Sequence, residues 1–222
     1  MTGIPRLETE RLILREWRDE DREPFARMNA DPRVAEFLAG PLTREESDGL
    51  VDRTMLRWSE DGLGLWAVER GADGTFIGFT GLARHRFEAP FMPAIEVGWR
   101  LAVDAWGHGY ATEGARASLA FGFEERGLDE IVSFTVPANV RSRAVMERLG
   151  MTRDPADDFD HPNLPPDSPL RRHVLYRLSR ADWRAGASAE RQRGGAKPIP
   201  SVDSASATFG DPGSGDVEGD HV

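Results

Sequence analysis

Ala94-Ile95-Glu96-Val97-Gly98-Trp99-Arg100-Leu101 has the chemistry of a strand. A short link joins it to Trp106-Gly107-His108-Gly109-Tyr110-Ala111-Thr112-Glu113, a glycine-rich turn that opens a helix. Glycine takes left-handed backbone angles without steric cost, so Gly107 and Gly109 let neighbouring main-chain N–H groups, that of His108 included, converge on one small space. A helix starting at Tyr110 adds the unsatisfied amides of Tyr110, Ala111 and Thr112 and the positive end of its dipole. Such an arrangement binds a diphosphate. The plain alternative is a strand-to-helix connection without a ligand. A dinucleotide fold would want glycine where Thr112 stands, yet Asp129 and Glu130 lie near the place of a ribose-binding acid, so that reading is weakened but open. A Walker-type phosphate loop needs a lysine, and the sole lysine is Lys197, far from the turn.

Other chemistries fall away on composition. The 222 residues contain no cysteine, which removes disulfides, thiolate nucleophiles and cysteine-held metals. His85, His161 and His173 lack metal-ligand spacing, and no metal is expected. A net charge of -10 opposes nucleic acid and anionic membranes as partners. No apolar run is long enough to span a bilayer, and Met1 to Glu10 lacks the regions of a signal peptide, so a cytoplasmic location is expected.

The elements that must position the turn follow from pattern. Strands are expected over 11–16, 65–70, 75–86, 94–101, 130–136 and 173–178. Leu65 to Arg70 and Thr75 to Arg86 are joined by Gly71-Ala72-Asp73-Gly74 as an antiparallel hairpin. Helices are expected over 20–29, 43–60, 110–126 and 140–149. The second carries a capping box, Thr43 with Glu46, and Leu50, Val51, Thr54 and Trp58 share its face. The third places Ala111, Ala115, Ser118 and Gly122 on one face, suited to close contact with a sheet, and stops at Gly127. Asn139 is the natural N-cap of the fourth. The order predicts an α/β fold, a mixed and mostly antiparallel sheet with helices on both faces, over residues 1–184. From Ala185 to Val222 the composition turns to Gly, Ser, Ala, Asp and Pro, and a flexible tail is expected.

At this point the chain resembles the GNAT N-acetyltransferases, in particular the branch of the RimJ/RimL ribosomal-protein N-terminal acetyltransferases. The resemblance rests on Leu7 to Arg15 (LETERLILR), Glu96 to Trp99 (EVGW), Trp106 to Glu113 (WGHGYATE), and Asn139 to Ser142 (NVRS) leading into Glu147 to Met151 (ERLGM). It covers about residues 6 to 183, and the superfamily prefers Gln or Arg where Trp106 stands. It implies acetyl-CoA as co-substrate, an amine acceptor and direct attack without an acetyl-enzyme. Its diphosphate would lie on Gly107, His108, Gly109, Tyr110, Ala111 and Thr112. The pantetheine arm would pair with strand backbone at Val97, Gly98 and Trp99, where the matching strand splays from its neighbour. Val97 and Gly98 would supply donors to the carbonyl oxygen.

Glu96 is the candidate base, directly or through water, with a structural ion pair to an arginine as its other reading. The resemblance places Asn139 at the pantetheine and Ser142 where it can protonate the departing thiolate, while a capping Asn and a first-turn Ser are the bland readings. The segment Asp157 to Pro162 would border an acceptor pocket and suit a cationic amine, with a plain solvated loop as its other reading. A homodimer is common in this branch. A non-catalytic acyl-CoA-binding regulatory module on the same fold is the competing function.

Overall fold

The side chains on the two faces of the strands pack into three buried clusters. The structure, a computed structural model, describes residues 3–192. The first half comprises β1 (Leu7–Glu8), β2 (Leu12–Arg15), α1 (Arg22–Asn29), α2 (Pro32–Ala35), α3 (Arg44–Asp61), β3 (Leu65–Arg70), β4 (Thr75–Arg84) and β5 (Ile95–Leu101). The second comprises α4 (Tyr110–Ala120), β6 (Glu130–Thr135), α5 (Val140–Arg148), β7 (Phe159–Asp160), β8 (Arg172–Ser179) and α6 (Arg180–Gln192). One sheet runs in the order β1-β2-β3-β4-β5-β6-β8-β7. Every neighbouring pair is antiparallel except β5 and β6.

On β3, Trp66 and Val68 join the core that α4 covers, whereas Ala67 and Leu65 meet Trp17, Phe25, Met28 and Val51 on the α1 and α3 side. The helices therefore lie on both faces, as the alternation of pattern predicts. The small residues of α4 and of the turn that follows it are a packing requirement: Ala115 and Ser118 are fully buried, and a Cβ on Gly122, just past the helix, would sit 2.7 Å from Ile131 Cδ1 and 2.9 Å from Leu82 Cδ1. The box at the start of α3 forms, with Thr43 Oγ1 accepting from the Glu46 amide and the Glu46 carboxylate from the Thr43 amide.

A buried bracket locks the N-terminal segment to the sheet. Arg15 donates to both carboxylate oxygens of Asp21 at 2.7 and 2.8 Å and through Nε to Glu69 at 2.6 Å. The Asp21 carboxylate also accepts from the Arg18 amide at 2.8 Å.

Several boundaries differ from pattern. The helix over 20–29 begins as a 3₁₀ turn, Asp19–Asp21. The helix expected over 110–126 is α-helical only to Ala120 and continues as a π-turn, Phe121–Glu125, closed by the Arg126 amide on the Phe121 carbonyl at 3.0 Å. β1, β7 and α2 are two to four residues long, too short for periodicity to mark. The expected boundary at Ala185 falls inside α6, where Trp183 is buried and its indole stacks against Phe123. The rest of the expected tail, 193–222, lies outside the described residues.

Candidate active site

β5 and β6 pair at a single position, Glu96 with Val132, and then part. Beyond Glu96 no strand among the described residues pairs with that edge of β5, although its other edge stays paired with β4 to Leu101. Past the strand, Trp106 Nε1 donates to the Leu101 carbonyl at 2.9 Å and so holds the turn against the sheet. Gly107 and Gly109 both adopt left-handed backbone, with φ of 79° and 81°. Gly109 is the N-cap of α4 and supplies no side-chain acceptor. Among the described residues, no protein acceptor takes a hydrogen bond from the amides of Gly107 to Thr112; the Glu113 amide is the first to bond, to the Gly109 carbonyl at 3.0 Å.

A second clamp sets the angle of this turn. Glu113 accepts from the Arg11 amide at 2.8 Å, from Arg11 Nε at 2.7 Å and from the Thr9 hydroxyl at 2.7 Å. Arg11 in turn donates to the His108 carbonyl at 2.8 Å and lies over the Tyr110 ring. The acid in the first turn of α4 also suits the helix dipole. The turn, Trp99, Asn139 and Ser142 line a cavity of about 1650 Å³ that α2 and α5 also border. Arg141 spans its rim, paired with Glu36 at 2.7 Å and stacked 4.5 Å from the Trp106 centroid.

On the opposite side of β5 from Val97, Glu96 shares a hydrogen bond with His85 Nε2. Burial alone would depress the imidazole pKa, but the hydrogen bond and charge of Glu96 outweigh it and hold His85 above the ordinary histidine value. The imidazole sits among aromatic rings, 5.4 Å from Phe87 and 5.3 Å from Phe134 between centroids. Phe91, Phe159, His161 and His173 complete the group. Burial holds both His161 and His173 below the usual range. A base oriented by a carboxylate in an apolar recess can accept a proton from a bound amine.

A family model of the acetyltransferase (GNAT) domain matches residues 11–152. The chain belongs to the GNAT acetyltransferase family. Enzymes of this family carry acetyl from acetyl-CoA, and this chain is an N-acetyltransferase. It is 32% identical over 186 residues to the FsC-acetyl coenzyme A-N(2)-transacetylase of Aspergillus fumigatus, covering 81% of this chain and 78% of that one. An acetyltransferase structure from Agrobacterium tumefaciens str. C58 is 32% identical with a TM-score of 0.64, covering 80% of this chain and 96% of that one. A ribosomal-protein-S5-alanine acetyltransferase from Vibrio fischeri, 18% identical, shares the fold with a TM-score of 0.64, covering 80% and 98%.

Placed on the acetyltransferase, the residues singled out in the sequence divide. Trp99, Asn139, Ser142 and the turn from Gly107 to Thr112 meet around the cavity, while Glu96, Val97 and Gly98 are not among its walls. The Val97 side chain is fully buried in the core, so only its main chain is free to act. Asn139 caps α5, its Oδ1 accepting from the Ser142 amide at 3.1 Å. The acidity of 157–160 is spent on arginines: Asp157 pairs with Arg177, Asp158 with Arg153 and Asp160 with Arg172. That loop brings Phe159 and His161 to the aromatic group. Sequence reasoning missed His85, Arg11 and Glu113 as positioning groups; the run LETERLILR held the signal for Arg11 without its partner.

No helix among the described residues is long and apolar enough to cross a membrane. Among them, too, no three His, Cys, Asp or Glu residues are grouped to hold a metal ion.

Proposed function

We propose that this enzyme transfers the acetyl group of acetyl-CoA directly to a primary amine, and that the acceptor nitrogen is an α-amine. The observation that carries the reading is the row of amides from Gly107 to Thr112, which have no protein acceptor among the described residues and line the cavity. Convergent amides at a helix start match a diphosphate. The free edge of β5 from Val97 to Trp99 is the seat of the pantetheine arm, whose amides pair with strand backbone. Asn139 borders that arm.

The acceptor must lose its proton to attack. An α-amine titrates near about 8 and a lysine amine near about 10.4, so one base at near-neutral pH serves the first far better. Glu96 and His85 act together: with Nε2–H donating to the Glu96 carboxylate, Nδ1 keeps the lone pair that takes the proton. As the C–N bond forms and the C–S bond breaks, the amine proton passes to this pair. The main chain of Val97 and Gly98 stabilises the carbonyl oxygen, and the Ser142 hydroxyl gives a proton to the CoA thiolate. The relative whose name specifies an N(2) acceptor supports the α-amine, and the His85–Glu96 pair supports catalysis over mere acyl-CoA binding.

The test is thiol release from acetyl-CoA with lysine derivatives blocked at either nitrogen. Near pH 7 the free α-amine is expected to give a kcat/KM at least about tenfold higher than the free ε-amine. CoA binding without turnover on any amine would instead leave a regulatory binding module.

A further inference from the structure

Arg100 carries a charge that no carboxylate among the described residues compensates. It projects from β5 toward α1, where Nη1 donates to Asn29 Oδ1 at 2.8 Å and the guanidinium lies 5.4 Å from the Phe79 centroid. Asn29 is buried and held in turn, its Nδ2 donating to the buried Ser47 hydroxyl at 2.9 Å. Both partners of Arg100 are neutral. No carboxylate pairs with it among the described residues, and burial pushes its pKa down to about 10. Arg15, the other deeply placed arginine, has Asp21 and Glu69. A guanidinium offers five N–H donors, and a desolvated, unpaired cation is costly. Arg100 lines the cavity, beside the apolar wall of Val34, Phe37 and Leu38. A pre-oriented, desolvated cation facing such a space is built to receive an anion.

The anion that fits is not the diphosphate. Side chains alternate on β5: Trp99 packs on the core beneath α4, whereas Arg100 points to the α1 side. The cavity thus presents two separate anion-binding features, the loop amides and Arg100. Glu96 shares the Arg100 face. Between them a Cβ on Gly98 would meet nothing nearer than Glu96 Cδ at 4.0 Å, so the track along the strand is open. Four residues of strand span about 13 Å.

We propose that Arg100 binds a carboxylate of the acceptor, and that the acceptor is a short peptide-like amine whose acid lies several bonds from the reacting nitrogen. This rests on the acetyl-transfer reading.

The test uses trialanine and its C-terminal amide as acceptors, with thiol release measured for the wild type, Arg100→Gln and Arg100→Lys, and CoA affinity measured calorimetrically for each. The wild type is expected to show a KM for the acid about tenfold or more below that for the amide. Arg100→Gln erases the difference with unchanged CoA affinity, and Arg100→Lys keeps part of it. Should Arg100→Gln melt early, Arg100→Lys carries the comparison, since it retains the charge and loses only the planar fork. Equal use of acid and amide by the wild type overturns the proposal. So does an Arg100→Gln variant that weakens CoA while the acid preference persists, because the anion would then belong to the nucleotide. No thiol release with any amine overturns the acetyl-transfer reading itself.

Discussion

Glu96→Gln is expected to lower kcat/KM by about 10²- to 10⁴-fold, the usual contribution of a positioned general base, with CoA affinity unchanged. The amide keeps the shape of the carboxylate but removes the charge that orients and supports the His85 imidazole. His85→Gln should fall in the same range, and the double variant should be little worse than either, because the two residues act as a unit. The pH profile separates this account from simple disruption. In the wild type the rising limb follows His85, held above its ordinary value by Glu96, since the base works only when deprotonated. In Glu96→Gln the burial that opposes protonation is no longer outweighed, so any residual activity should rise at lower pH.

Stability follows the same linkage with its own sign. A native pKa raised above the unfolded value stabilises fully below about 6.5 and loses that contribution as pH climbs through the native pKa. Melting temperatures of the wild type should therefore show a decline over that window that Glu96→Gln lacks. A Glu96→Gln enzyme within threefold of the wild type would remove the pair from the mechanism.

Arg15→Met is expected to destabilise the fold by about 3–5 kcal/mol, since it leaves the buried Asp21 carboxylate without its cation and Glu69 with only the longer contact to Arg18 at 3.6 Å. Asp21 is 1% exposed and can retain only the Arg18 amide as a partner, and Glu69 is mostly covered. At this chain length the loss corresponds to a melting temperature lower by about 10 °C. Arg18→Ala serves as the control: its side chain is 51% exposed, so its pairs with Glu20 and Glu69 are screened and worth about 1 kcal/mol at most. Urea unfolding of both variants measures the contrast, and a loss below about 1 kcal/mol for Arg15→Met would mean that the bracket merely decorates the segment.

What could be read from the residues follows the range of the physics behind each feature. The capping box of α3, the small-residue face of α4 and the left-handed glycines of the turn are local, and all three stand in the structure as their residue types dictate. The parting of β5 and β6 entered through family resemblance. The His85–Glu96 pair was illegible for a different reason. It depends on the β4–β5 register, in which Ala83 faces Glu96, and on the path of the chain just past β4. Nothing in the ten intervening residues fixes that register from one sequence. The aromatic group around His85 draws Phe87, Phe134 and Phe159 from separate elements, so its members carry no shared spacing. At α6, the stretch from Ala185 reads as tail because its composition lacks large apolar residues, and only the fold shows that it continues the helix anchored by Trp183 against Phe123.

Acetyl transfer at this site requires the diphosphate of CoA to sit on the turn that opens α4. Crystals of the enzyme soaked with CoA are predicted to show its oxygens within hydrogen-bonding distance of the main-chain amides between Gly107 and Thr112, with the pantetheine running along the free edge of β5. Density that puts the diphosphate on another part of the surface, with those amides bonded to protein or solvent instead, would contradict it.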